Sequence, residues 1–298
     1  MNVLHHNLRR RQPVGISLSA VRSSANIRNR VSASSYIIQG GVAGRERLRI
    51  LSRVMRPTSL ALLQRAGLQA GMQVLEIGCG GGDLAFDIAR IVAPSGRVRG
   101  TDIDQTKLDL ATHEAAELNL TNIEFQLGNI TESAPAGNFD FIHTRFVLTH
   151  LTDPAQALKH IRAALRPGGI IVLEDIDFSG YFCYPDCAAL WRYVHLYMET
   201  TRRRGVDANI GPRLPSLLVE AGFENIQANI VQPSGLTREV KLISPLTMEN
   251  IADAVIGEGL ATAEEIERIV ADLYAFADKP GTLGSTPRIF EAWATQPV

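Results

Sequence analysis

Val74-Leu-Glu-Ile-Gly-Cys-Gly-Gly-Gly-Asp83 carries more structural information than any other stretch of this chain. An apolar run of strand character passes straight into a turn holding glycines 78, 80 and 82, and a helical pattern over 83–92 follows. Glycine has no Cβ and tolerates positive φ, so such a turn lets backbone approach a ligand closely, with the amides of the next helix facing it. Dinucleotide-binding folds use a related turn, but their third glycine would fall at position 83, which is Asp83. A carboxylate at the helix start repels a pyrophosphate. Glu76, two residues before the first glycine, places a further negative charge at the strand's carboxyl end. The turn therefore suits a ligand whose nearest part is cationic.

Outward from this turn the chain alternates regularly. Strand patterns are predicted over 73–77, 97–103, 123–127, 139–143, 169–174 and 225–231, with helical patterns at about 83–92, 105–118, 153–165 and 211–221. Asp153-Pro154 is a helix start, an N-cap followed by proline at the first helical position, and Pro167-Gly168-Gly169 is a stop. Strands alternating with helices of 10–15 residues predict right-handed crossovers and an α/β fold, Rossmann-like and doubly wound around a mostly parallel sheet. Residues 45–67 suit one or two helices, with a break near Pro57. Two segments interrupt the rhythm and are expected as helical lid insertions. One is the aromatic-rich stretch 178–210; the other, 241–278, reads as two helices, the second opened by a Thr262/Glu265 capping box.

Arg99-Gly-Thr-Asp-Ile-Asp104 ends the next strand. A carboxylate there can accept hydrogen bonds from both hydroxyls of a ribose, which makes Asp102 the candidate, with Ile103 packing on an adenine face. Asp104 suits the N-cap of the following helix. The methionine ammonium and sulfonium of S-adenosylmethionine are one example of the cationic part that suits the glycine turn.

Residues 71–177 resemble the class I S-adenosylmethionine-dependent methyltransferase superfamily at nearly every landmark. The E-x-G-x-G-x-G run over 76–82, Gly100-Thr-Asp102, Gly128-Asn129-Ile130, Phe139-Asp-Phe-Ile-His143 and Leu165-x-Pro-Gly-Gly169 match its successive motifs. The outlying segments 36–70 and 178–298 resemble its bacterial small-molecule members more loosely. The resemblance implies a seven-stranded sheet whose last strand is antiparallel, for which 288–294 is the candidate. It also implies that Glu76, Gly78, Cys79, Gly80 and Gly82 line the methionine part, Asp102 the ribose, Ile103 the adenine face, and Asn129 and Ile130 the adenine edge. The family usually has Asp where this chain has Asn129; an amide oxygen still accepts from the adenine amino group.

Methyl transfer from an activated sulfonium needs position and a dry pocket, and a base only where the acceptor must lose a proton. His150 and His143 stand near the expected methyl position as candidate bases, each with a structural role as the alternative. Arg145 is a candidate for the cofactor carboxylate or an acidic substrate, with a structural ion pair as the alternative. Glu174-Asp175-Ile-Asp177 hints at a metal, but His143-Thr-Arg145 stands where the metal-dependent relatives need a carboxylate, so no metal is expected. Residues 178–197 hold seven of the chain's 18 aromatic side chains. They read either as a lid offering an apolar pocket or as the glue that fastens that lid to the sheet. Arg202-Arg-Arg204 reads as a solvated helix end.

Composition narrows the rest. The 298 residues are 45% hydrophobic and 20% charged with a net charge of −1, ordinary for a globular protein. Residues 1–45 hold seven arginines and no Asp, Glu or Lys, leaving 23 basic against 31 acidic residues elsewhere. Residues 1–35 read as a basic disordered tail, with a transit peptide or a mis-assigned start as alternatives. The expected domains are thus this tail, N-terminal helices over 36–70 covering the active site, and a methyltransferase domain over 71–298. No run reaches 18 apolar residues, and the acidic body and missing amide clamp speak against a nucleic acid substrate. Three cysteines are too few for a disulfide framework, and Cys183 and Cys187 lack partners for a zinc site. A cytoplasmic enzyme acting on a small hydrophobic metabolite is expected, as a possible homodimer, with no membrane partner. An NAD-dependent oxidoreductase and a non-catalytic cofactor-binding regulator or assembly subunit are the competing readings.

Overall fold

The computed structural model describes residues 41–298, with side chains from Arg47 onward; the expectations for residues 1–35 lie outside the described residues. Helix α1 (Gly41–Arg65) leads into β1 (Gln73–Ile77), α2 (Asp83–Val92), β2 (Arg97–Asp102), α3 (Gln105–Glu117), β3 (Ile123–Leu127) and β4 (Phe139–Arg145). The chain continues through α4 (Pro154–Ala164), β5 (Leu165–Asp177), β6 (Cys183–Tyr184), α5 (Ala188–Arg203), α6 (Leu214–Glu220) and β7 (Glu224–Val231). It closes with β8 (Ser234–Gly235), α7 (Arg238–Gly257), α8 (Ala263–Asp278), β9 (Leu283–Ser285) and β10 (Arg288–Thr295).

Seven strands form one sheet in the order β3-β2-β1-β4-β5-β10-β7. The first five run parallel, while β10 is antiparallel to both β5 and β7. The expected last strand over 288–294 is therefore β10, slotted between β5 and β7 rather than added outside them. Strand order reverses between β1 and β4, and open α/β sheets bind ligands at the carboxyl ends beside such a reversal. The central strands are covered on both faces and read as continuous apolar runs: Val74, Leu75, Phe141, Ile142, Ile171 and Val172 are all fully buried. A separate small sheet, β6-β9-β8, ties the insert after β5 to the segment before β10.

Helix starts follow the sequence closely. Asp104 accepts from the amides of Thr106 and Lys107, and Asp153 from that of Gln156 at 2.9 Å. Thr262 caps α8 by accepting from the Glu265 amide, but the Glu265 carboxylate turns away to Arg192 at 2.8 Å, so the box is half made. The break near Pro57 does not occur. α1 runs through the proline because Met55, Leu62 and Leu63, fully buried on either side of it, hold the two halves to one core surface. That packing outweighs the roughly 3 kcal/mol such an interruption costs. The helix expected over 211–221 opens instead as a 3-10 turn at Gly211–Arg213, with Pro212 and Pro215 each removing an amide. α1, α5, α7 and α8 pack together over the carboxyl end of β5 and the amino end of β10 around Met55, Tyr193, Tyr197, Met248 and Ile251.

Candidate active site

One cleft of about 1020 Å³, its mouth included, opens over the carboxyl ends of β1, β2 and β4 and reaches beneath the helical cover. Its outer half is lined by Glu76, Gly78, Cys79, Gly80, Gly81, Asp83, Asp102 and Lys107. Its inner half is bounded by Met55, Phe146, Ile176, Phe178, Tyr181, Tyr193, Tyr197 and Ile289.

In the outer half, backbone strain and burial coincide. Gly78 and Gly80 take φ of +69° and +56°. A Cβ on Gly78 would lie 2.3 Å from Val147 Cγ2, so the turn closes only with glycine there. Asp102 braces it: one carboxylate oxygen accepts from the Gly80 amide at 2.9 Å, the other from the Asp104 amide at 3.0 Å. Each oxygen keeps a lone pair for a ligand hydroxyl. Glu76 is 4% exposed and its Oε2 has no hydrogen-bond partner. A buried carboxylate oxygen left open on a cleft wall fits a cationic, hydrogen-donating ligand group, and the residues present therefore fit S-adenosylmethionine.

Behind this wall runs a buried polar row. His143, fully enclosed, sits with Nδ1 3.7 Å from Glu76 and Nε2 3.0 Å from Glu174. Glu174 accepts from Ser59 of α1 at 2.9 Å, and Ser59 accepts from Arg145 at 2.9 Å. Burial is the largest influence on the His143 imidazole and opposes its protonation, but the two carboxylates outweigh it and raise its pKa. Burial likewise pushes Glu174 up, while His143, Arg145 and Ser59 together bring it below the ordinary carboxylate value. The row continues to Glu291 of β10, which pairs in register with Glu174 and accepts from Asn229 at 2.7 Å.

His150 stands differently. Burial, then the charges of Arg47 and Lys107, lower its pKa to about 3, so its imidazole is neutral near pH 7 and a weak proton acceptor. The 3-10 turn that carries it, Leu148–His150, is pinned by Asp175, which accepts from the Thr149 amide at 3.2 Å. Burial raises Asp175 to about 7.

The inner half is aromatic. Phe178 stacks on Tyr197 with ring centroids 3.8 Å apart and planes within 7°, and meets Tyr181 and Tyr193 edge-on at 5.2 and 5.8 Å. Phe146, at the end of β4, holds φ of +58°, a strained conformation for a bulky residue and one that often accompanies a functional site.

Comparison with known proteins bears on this geometry. The family described as "Methyltransferase domain" matches residues 68–202, the span that builds the glycine turn, the Asp102 strand end and the β4–β5 wall. Residues 68–202 of this chain thus match a methyltransferase domain. A demethylmenaquinone methyltransferase of Lactococcus lactis is 35% identical over 111 residues, 37% of this chain and 44% of that protein. The chain thus spans less than half the length of such curated relatives. Among solved structures, a putative methyltransferase of Bacillus halodurans has a TM-score of 0.53 at 19% identity, covering 80% of this chain and 98% of that one. The [4+2]-cyclase SpnF has a TM-score of 0.50 at 22% identity, covering 82% and 81%. A chain named as a cyclase on this fold shows that the fold alone does not decide the reaction.

Within the methyltransferase domain, the structure brings Glu76, Gly78, Cys79, Gly80, Asp102, Arg145 and His150 together on one cleft. Other candidates stand off its wall, each for a physical reason. Gly82 begins α2 with φ of +80°, and a Cβ there would strike Phe125 and Phe86, so packing explains it. Asn129 spends its amide oxygen on the Thr131 amide and hydroxyl, closing a turn. Ile130 is buried against α4, Ile103 is 57% exposed, and His143 is sealed between carboxylates. Sequence reasoning missed Arg47, Met55, Phe146 and Lys107. Arg47 and Met55 lie in the helical segment expected to cover the site, but nothing in a single helix pattern says which of its residues face the cleft. Among the described residues no cluster of His, Cys, Asp or Glu is arranged to hold a metal, and no helix is long and apolar enough to cross a membrane.

Proposed function

We propose that this protein transfers a methyl group from S-adenosylmethionine to a small, largely apolar acceptor held against the aromatic inner wall. One observation carries the reading: a single cleft joins an open buried carboxylate and a glycine turn to a pocket of aromatic rings. The donor supplies a methyl group already activated on a cationic sulfur. Glu76 takes the cofactor's ammonium, the backbone at Gly78, Cys79, Gly80 and Gly81 lies along its methionine part, and Asp102 receives the ribose hydroxyls. Ile103, exposed at the strand end beside Asp102, lies at the adenine end. Arg145, already fixed by Ser59, offers its remaining donors to a carboxylate.

The remaining residues position and exclude. Met55, Ile176 and Ile289 keep water from the acceptor, and orientation of two bound reactants is the main source of rate in such a site. His150 shapes the wall as a neutral imidazole. Calorimetric titration with S-adenosylmethionine, its demethylated product and NAD tests the reading directly. Saturable binding of the first two without NAD is expected; binding of NAD alone overturns it. Cofactor binding without turnover over a broad acceptor panel points instead to a non-catalytic protein.

A further inference from the structure

The inner half of the cleft has a composition of its own. Four rings, Phe178, Tyr181, Tyr193 and Tyr197, pack edge and face against one another and all reach the cleft. Arrays of this kind offer flat faces and edges, which match another planar ring better than a flexible alkyl chain. Into this apolar setting Tyr193 brings a hydroxyl that is wholly buried and completes no hydrogen bond. The Tyr181 phenol lies beside it and shifts its ionisation. A buried hydroxyl left open in a ligand cleft calls for a polar atom on the ligand.

Charge narrows the ligand further. The acidic residues on the cleft, Glu76, Asp83 and Asp102, all belong to the cofactor half together with Lys107. At the aromatic half stands Arg47, 9% exposed and donating to Thr247 at 3.0 Å. Burial pushes the Tyr181 and Tyr193 phenols above their ordinary range, and the charge of Arg47 works against that push on both. The charge of Arg47 thus favours an oxyanion over an ammonium acceptor and offsets part of the cost of burying it. Neither histidine is suited to take a proton from the acceptor: His143 is enclosed, and His150 is protonated only in strong acid.

We propose that the methyl acceptor is a planar aromatic hydroxyl compound bound as its phenolate, its oxygen held by the Tyr193 hydroxyl and the Arg47 guanidinium. The inference rests on the methyltransferase reading above. The phenol's proton is lost to solvent on binding. The phenolate oxygen then forms its bond to the methyl carbon as the carbon–sulfur bond breaks, and that electron pair returns to sulfur, leaving a neutral thioether and an aryl methyl ether. No base on the protein is required.

The probe is 4-nitrophenol, whose phenolate absorbs visible light and whose neutral form does not, added to protein saturated with S-adenosylhomocysteine. At a pH below the probe's own pKa, the phenolate absorbance is expected to rise saturably with protein concentration. Tyr193→Phe should weaken binding about tenfold, the loss of one hydrogen bond to a charged group. Arg47→Gln should abolish the excess of phenolate. Affinity for S-adenosylhomocysteine, measured on each variant, reports whether it has folded. Binding with no phenolate excess, equal binding to Tyr193→Phe, or preference for phenyltrimethylammonium overturns the proposal. If the thioether binds and nitrophenol does not, only this inference falls; if the thioether fails to bind wild-type protein, the methyltransferase reading falls and takes this one with it.

Discussion

Asp102 is held in place before any ligand arrives, because the Gly80 and Asp104 amides fix its two oxygens. Asp102→Ala therefore removes both a ribose acceptor and the brace of the glycine turn. Its affinity for S-adenosylhomocysteine should drop by about 1.5–3 kcal/mol, read by calorimetry, with an unchanged affinity in a folded variant removing Asp102 from the site. Gly78→Ala acts through sterics, since the added carbon meets Val147 and the residue must keep positive φ. A loss of about 1–3 kcal/mol in urea denaturation is expected. Titration at His150 and Asp175 pulls stability in opposite directions. His150 has a folded pKa of about 3, below the ordinary 6.5, so its contribution is present above pH 6.5 and is lost as pH falls towards 3. Asp175 has a folded pKa of about 7, above the ordinary 3.8, so its contribution is present below pH 3.8 and is lost as pH rises through 7. His150→Asn should flatten the acid side of the stability profile, and Asp175→Asn the rise-in-pH side; melting temperatures from pH 4 to 8 check both.

At the scale of elements, α1 joins the cofactor half to the acceptor half. Its Arg56 clamps Asp87 of α2 through two hydrogen bonds at 2.6 and 2.8 Å, and its Ser59 bridges Glu174 and Arg145. Met55, fully buried and next to Arg56 in the chain, reaches the acceptor pocket. Ser59→Ala leaves Glu174 one donor short and Arg145 one acceptor short. A cost of about 1–3 kcal/mol is expected in denaturant unfolding, with weaker α1 protection in hydrogen exchange; a cost confined to the helix's own last turn would show that the bridge does not dock it. The same element shows why a sequence pattern can mislead. Pro57 signals a break, and in an isolated helix it would make one, but Leu62 and Leu63 beyond it are buried as completely as Met55 before it.

Across the whole molecule, the parallel sheet places the first-half motifs at one edge of a crevice, and the later segments roof it. Binding of a ligand to the folded state alone raises stability by mass action, about 2.7 kcal/mol at a hundredfold excess over Kd. S-adenosylhomocysteine should therefore raise the melting temperature in a concentration-dependent way while NAD leaves it unmoved; the reverse pattern would return the glycine turn to the dinucleotide class. The aromatic insert also belongs to this scale. Phe178 and Tyr197 glue α5 to the sheet and line the cleft at once, so the lid and glue readings describe the same rings.

What the sequence determined alone is local or periodic. The glycine turn, the caps at Asp104, Asp153 and Thr262 and the parallel strands follow from backbone sterics, capping chemistry and the two periods of buried side chains, whereas the antiparallel last strand came from the family resemblance. Glu76 and Asp102 were legible because they sit at fixed distances from that turn. What tertiary structure decided depends on which distant surfaces meet. His143 and His150 look equivalent in the chain, yet one lies between Glu76 and Glu174 and the other beside Arg47 and Lys107, so their proton affinities move in opposite directions. Arg47, Met55, Thr247 and Ile289 come from segments far apart in the chain and become one wall only when α1, α7 and β10 pack together. Local propensity carries no term for such contacts; the burial of apolar surface between elements does.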